Sequence, residues 1–336
     1  MAVDPIEALA PAHATDVTRL LQSASKSALA NIDLDAIEAI LLDINGDTAR
    51  RRLAAALGID SDDTSIADAF TNAIALLATM IAAVAALAAS RYGSTTNPAD
   101  TIIIRAQQEA NTLAKAAADT ALAISAAIER AIYSTANLHD RARQLQDSIG
   151  LTINQANSLD VMRQTLATYL AAPIRIAPRT TDINGNRIPA APYRAINIDR
   201  LLRGTTGILS AAQRATLTRA MQNVRLTQTD ADDLLRNHAA ALRAYRFRVI
   251  ANQAAHEAQE QGKLAGWRIA QRQGKLASDS RRYWRTMQDE AVRHDHAQVP
   301  IMNPAGVALD QPFQTPLGPR MTPPLEINCR CKAEIR

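Results

Sequence analysis

The sequence predicts a mainly α-helical protein. Long alanine-rich helices fill the N-terminal half, and a helical C-terminal half ends in a small α+β domain with a short β-hairpin and a final strand. Three observations carry that prediction. Hydrophobic residues make up 47% of the 336 positions but aromatics only 3%. Alanine supplies much of the difference; it is the best helix former and buries little area per side chain. No Gly or Pro occurs from Asp100 to Ile149. After residue 298 the helical spacing gives way to short apolar runs punctuated by Pro and Gly. The length allows two or three domains. Helices with so thin a core per domain are expected to finish burying their faces against partners or in a homo-oligomer.

Residues 4–57 are expected to form short helices. "DLDAIEAILLD" (33–43) has helical apolar spacing, and "DTARRRLAAALG" is expected to start at a capping Asp47 and stop at Gly58. A run without charge lies between Asp68 and Arg91, with Ile74, Leu77, Ile81, Val84 and Leu87 at helical spacing along it. Its length approaches the ~20 residues that cross a bilayer. More than half of 73–89 is alanine, however, and basic or aromatic flanks are missing. The run therefore predicts a helix buried in a bundle or oligomer, with membrane contact by 69–90 as the alternative. Residues 100–149 predict one long helix or two nearly continuous ones ended by Gly150, and 151–170 another.

Residues 171–199 hold four prolines and an Asn184-Gly185 pair, the signature of a hairpin or exposed loop, and are the expected linker. Charge changes sign there. Residues 1–170 carry 12 Lys/Arg against 19 Asp/Glu, and 171–336 carry 25 against 14, 22 of them Arg. The expected division is an acidic all-helical domain (1–170), the linker (171–199) and a basic domain (200–336). An arginine surplus suits phosphates or an acidic protein surface. Helices are expected at "LSAAQRATLTRAMQNV", capped by Ser210, and over 229–262, followed by "WRIAQRQG" and a helix carrying Trp284 to His296. "VPIM-NPAG-VALD" predicts two short strands joined by a turn, and "EINCRC" a closing strand.

No secretory leader is visible in "MAVDPIEALAPAHA", and two cysteines make no disulfide framework, so a reducing cytoplasm is the expected place of synthesis. GxGxxG, Walker A, GxSxG and HExxH are absent from the sequence, which disfavours dinucleotide enzymes, P-loop ATPases, α/β hydrolases and zincins.

The chemistry-bearing residues concentrate in 284–331. Cys329 and Cys331 are the only cysteines, one residue apart. In an extended C-x-C both sulfurs face one side, so one ion can take both. In His294-x-His296 on a helix the rings diverge, which leaves His296 as the imidazole. His296, Cys329 and Cys331, with Asp289 or water as fourth donor, form a candidate zinc set. The alternatives are two small buried thiols holding the last strand, or a strained i,i+2 disulfide. Asp289, Arg293 and His296 are spaced i, i+4, i+7 and would share a helix face. That triple suits a salt-bridged cluster, or a nuclease-like site with His296 as general base and Arg293 steadying phosphate. His139, His238 and His256 are expected in solvated or helix-packing roles, and Trp267 between helices.

The ordered string Trp284, Asp289, Val292-Arg293, His296, Phe313, Gly318, Pro323-Pro324 and Asn328-Cys329-Arg330-Cys331 resembles the phage head morphogenesis family, the minor head proteins of tailed phages that include the Mu F-like proteins. The resemblance covers about 48 residues closely and extends weakly back to about residue 200. It implies a structural virion protein without enzymatic activity, made in the host bacterial cytoplasm and held inside the head near the portal vertex. The implied partners are the portal protein, a major capsid or scaffold protein, and packaged DNA on the basic half. The implied role lies in head assembly and DNA packaging or ejection.

Overall fold

The computed structural model describes residues 4–30, 32–42, 46–57, 79–96, 111–133, 138–177, 180–181, 187–188 and 191–336. They form a mainly α fold with a small α+β part at the C-terminus. The chain divides into two compact units whose segments interleave in sequence. One comprises Met1–Asn31, Ser61–Ala118 and Ala244–Arg336, the other Ile32–Asp60 and Asp119–Arg243. The units therefore do not follow the order acidic half, linker, basic half: helices distant in sequence share a core.

The second unit contains α2 (Leu34–Leu42), α3 (Gly46–Ala56), α6 (Leu138–Ser148), α7 (Ile153–Ala171), α8 (Ile198–Arg203) and α9 (Ala211–Met221). Between α3 and α6 in sequence come α4 (79–90) and α5 (Asn111–Tyr133). Local chemistry sets the element ends. Gly150 adopts φ 73° just past α6, a conformation open to glycine without Cβ strain. Thr152 and Ser210 each close a reciprocal capping box, with Gln155 and Gln213 respectively. The core of this unit joins Leu159, Met162, Leu166, Leu217, Met221 and Leu235. The hairpin expected in 171–199 is present: β1 (Ile174–Ile176) pairs antiparallel with β4 (Pro192–Arg194), and β2 (Thr180–Thr181) with β3 (Arg187–Ile188). Asn184-Gly185 lies outside the described residues.

Three expectations about the helices are corrected. Within 4–57, α2 and α3 are short as expected, but α1 (Pro5–Ala30) is not; it runs through Pro11 for 26 residues. It does so because Ile6, Val17 and Leu21 are buried along one face, and that packing outweighs one lost backbone hydrogen bond. Asp47 lies inside α3 and is not its cap. Helix α10 (Gln228–Arg272) does not stop at Gly262 but runs on to Arg272, 45 residues in all.

Gly262 belongs in that helix because another backbone passes it closely. A Cβ there would lie 2.7 Å from Val84 Cβ, and one at Gly266 only 2.5 Å from the Ala85 carbonyl oxygen. Helix α4 thus packs backbone to backbone against α10. Ile81, Val84, Ala85, Ala88 and Ala89 join Phe247, Ala251, Ala254, Ala258 and Ile269 in the core of the first unit. Of the apolar residues singled out along the uncharged run, Ile81 and Val84 are buried here and Leu87 packs beside them, whereas Ile74 and Leu77 lie outside the described residues. Among the described residues, no helix is long and apolar enough to cross a membrane.

The C-terminal part is a three-stranded antiparallel sheet, order β6-β5-β7, from Val307–Ala308, Arg281–Arg285 and Lys332–Ile335. The central strand pairs Arg282 with Val307 and with Ile335, and Trp284 with Ala333. Here the sequence expectations fail in detail. Trp284 lies on a strand, because "RRYWR" alternates and sends Arg282 and Trp284 inward. Residues 286–293 are irregular, with Gln288 at φ 57°. Helix α11 (His294–Met302) takes up "VPIM", since His296 and Val299 at helical spacing are both buried. The final strand starts at Lys332, one residue after the second cysteine.

Candidate metal centre

The long helix α10 holds the cysteine segment in place through the backbone of that segment. Gln253 Nε2 donates to the Glu326 carbonyl at 3.0 Å, and His256 Nε2 lies 2.8 Å from the Cys331 carbonyl oxygen. One turn further on, Glu260 accepts the Ala333 N–H at 2.7 Å, and Lys263 donates to the Ala333 carbonyl at 2.9 Å. Glu260 and Lys263 also form a buried ion pair at 2.6 Å. These four residues sit at 253, 256, 260 and 263, a spacing that keeps them on one helix face. Of the four, sequence reasoning singled out only His256, for a solvated or helix-packing role; the spacing of the other three with it was the available signal.

A second buried charge organises the loop that follows. Arg282 is fully buried on the central strand and donates to the carbonyls of Ala308, Gln311 and Met321, with its guanidinium 4.9 Å from the centre of the Phe313 ring. Burial pulls its pKa down to about 10. Phe313 meets Trp284 edge-on at 5.3 Å, and both pack with Val299, Leu309, Leu325, Cys329 and Cys331.

Asn328 adopts φ 59°, a left-handed conformation that Asn tolerates better than most residues. The chain then runs extended, so that Cys329 and Cys331 are buried and Arg330 between them is exposed. Arg330 grips Asp289 with two nitrogens, each at 2.8 Å. Arg293 donates to Glu326 at 3.2 Å and to the Ile327 carbonyl at 2.7 Å.

His296 is buried between these groups. Its Nδ1 lies 3.4 Å from Cys329 Sγ and 3.5 Å from Cys331 Sγ, and its Nε2 lies 3.4 Å from Glu326 Oε2. One donor atom from each of His296, Cys329 and Cys331 fits within 4.8 Å of the others, a cluster that can hold a metal ion. Both cysteines are free thiols, so the disulfide alternative is not formed. The two thiols share a proton unequally. Hydrogen bonding from Cys331, then backbone N–H groups and His296, outweigh burial and hold Cys329 down at about 5. The shared proton and burial push Cys331 above its ordinary value.

Trp284, Arg293, His296, Cys329 and Cys331 are therefore brought together as expected, but two premises fail. Asp289 is not a donor of the cluster; it is spent on Arg330 at the surface. Asp289, Arg293 and His296 do not share a helix face, because the helix begins only at His294. Asp289 is paired with Arg330, Arg293 and His296 both meet Glu326, and the other ring nitrogen of His296 faces the two sulfurs, so the three do not form the expected shared-face triple. Glu326, against the far nitrogen of the ring, is the residue that sequence reasoning missed. Compared with family models, curated proteins and solved structures, the chain matches none.

Proposed function

We propose that this chain is a minor structural protein of a tailed-phage head, docking at the portal vertex inside the head and acting in head assembly and DNA packaging or ejection. One observation carries the reading. Residues of the ordered string that resembles the head morphogenesis family, dispersed over 284–331, are tied together in space: Trp284 with Phe313, Asp289 with Arg330, His296 with Cys329 and Cys331. A chance string has no reason to be joined by direct contacts. The arginine surplus of residues 171–336 suits an acidic portal surface or packaged DNA.

The ion proposed for the centre is zinc. Zn–S bonds of about 2.3 Å and Zn–N bonds of about 2.0–2.1 Å at a tetrahedral angle demand N···S separations of about 3.5 Å. The two measured separations are 3.4 and 3.5 Å. Without a metal, two sulfurs face a single imidazole lone pair, and only one of them can donate to it. A metal uses all three lone pairs. Glu326 on Nε2 selects the tautomer whose Nδ1 is free to bind, the arrangement common behind metal-ligating histidines. In this reading zinc is structural: it ties α11 to the segment that leads into the last strand.

Mass spectrometry of purified particles, with cross-linking, tests the proposal. The chain should be present in few copies and cross-linked to the portal protein. Absence from the particle, or cross-links spread evenly over the capsid shell, would sink it.

A further inference from the structure

We infer that the fourth coordination position of this centre is open and takes an exchangeable anionic donor from outside the fold. The inference rests on the metal reading above and adds the ligand class. Closed structural zinc sites use four protein donors, whereas three donors leave a position for water or another ligand. Among the described residues, no fourth His, Cys, Asp or Glu joins the cluster. Asp289 and Glu326 are engaged elsewhere: Asp289 with Arg330, and Glu326 with Arg293 and the far nitrogen of His296.

A pocket of about 40 Å³ opens directly over His296, Cys329 and Cys331. One water needs ~10–15 Å³ on this measure, so the pocket has room for a small ligand. Its remaining lining is Met287, Ala291, Val292, Arg293, Asn328 and Arg330. Two of these are guanidiniums, one is an amide, and none is a carboxylate or a second imidazole. No group is therefore placed to act as general base on a metal-bound water, which separates this pocket from a hydrolytic site. A divalent ion with two thiolates and a neutral imidazole carries no net charge, so an incoming anion meets no repulsion from the centre; the guanidiniums of Arg330 and Arg293 are each paired with one carboxylate, Asp289 and Glu326, and keep further N–H donors that can meet it. The class of ligand is a small anionic donor, supplied either free or as an acidic side chain of a second copy.

Cobalt(II) substitution of the full-length protein tests this, with azide as anionic probe and imidazole as neutral probe, in a non-coordinating buffer. Thiolate-to-cobalt charge-transfer absorption reports the metal centre itself; without it, the metal reading falls and this inference with it. With that absorption present, the inference expects the visible d–d bands to shift saturably with azide, and far less with imidazole at equal concentration. Bands unmoved by azide, or moved equally by imidazole, would overturn the inference while leaving the metal reading standing. Where azide acts, d–d bands that change on dilution before any probe is added assign the native ligand to a second copy. Bands independent of dilution exclude a second copy and leave a free anion as the source.

Discussion

Cys329, Cys331 and His296 contribute through donor chemistry, so substitutions that keep shape but change the donor are the informative ones. Cys329→Ser removes a thiolate and only minimal volume. Elemental analysis of the wild-type chain should give about one zinc, and the variant should lose it, with a lower Tm, because metal binding and local folding are coupled. Glu326→Gln leaves all three donors but weakens the carboxylate behind the ring. Competition with a chromophoric chelator should show metal affinity lowered about 10- to 100-fold; unchanged affinity would remove Glu326 from the centre. Arg282→Met addresses the buried charge on the central strand. Three carbonyls lose a charged donor, and stability should fall by about 3 kcal/mol or more in urea unfolding.

Two helices depend on contacts whose cost is predictable. The α4–α10 crossing has room only for hydrogen at Gly262 and Gly266. Gly266→Val should destabilise by at least about 1–3 kcal/mol, since the obstructing atom is a backbone oxygen that cannot rotate away. A wild-type denaturation midpoint in that variant would show that α4 does not pack there. On the same helix α10, the Glu260–Lys263 pair grips both backbone groups of Ala333. Glu260→Ala strands a buried ammonium and should cost about 3–5 kcal/mol. Replacing both with Met and Leu should cost less than the single change, because no unpaired charge remains.

Across the whole molecule, the candidate metal centre lies within one compact unit, with His296, Cys329 and Cys331 all in Ala244–Arg336. Chelation should therefore act locally. Hydrogen exchange after metal removal should show lost protection at Arg281–Arg285 and Lys332–Ile335, with amides of Ile153–Ala171 and Ala211–Met221 unchanged. Uniform loss of protection would mean that the two units unfold together.

The sequence by itself determined what short-range physics decides. Alanine content set the helical class, Ser210 and Gly150 marked helix ends, and the one-residue spacing of Cys329 and Cys331 placed both sulfurs on one side. His296 was legible as the third donor because the ring of His294 diverges from it. The rest depended on tertiary contacts. Residues 286–293 carry helix-compatible spacing, yet Trp284 is held on a strand by pairing with Ala333, some fifty positions away. Glu326 became the partner of His296, and Asp289 that of Arg330, through turns on either side of the sheet. Gly262 looked like a helix end until α4 passed within touching distance of it. Local propensity cannot settle such choices, because each depends on which distant backbone arrives to fill the space and satisfy the buried hydrogen-bonding groups.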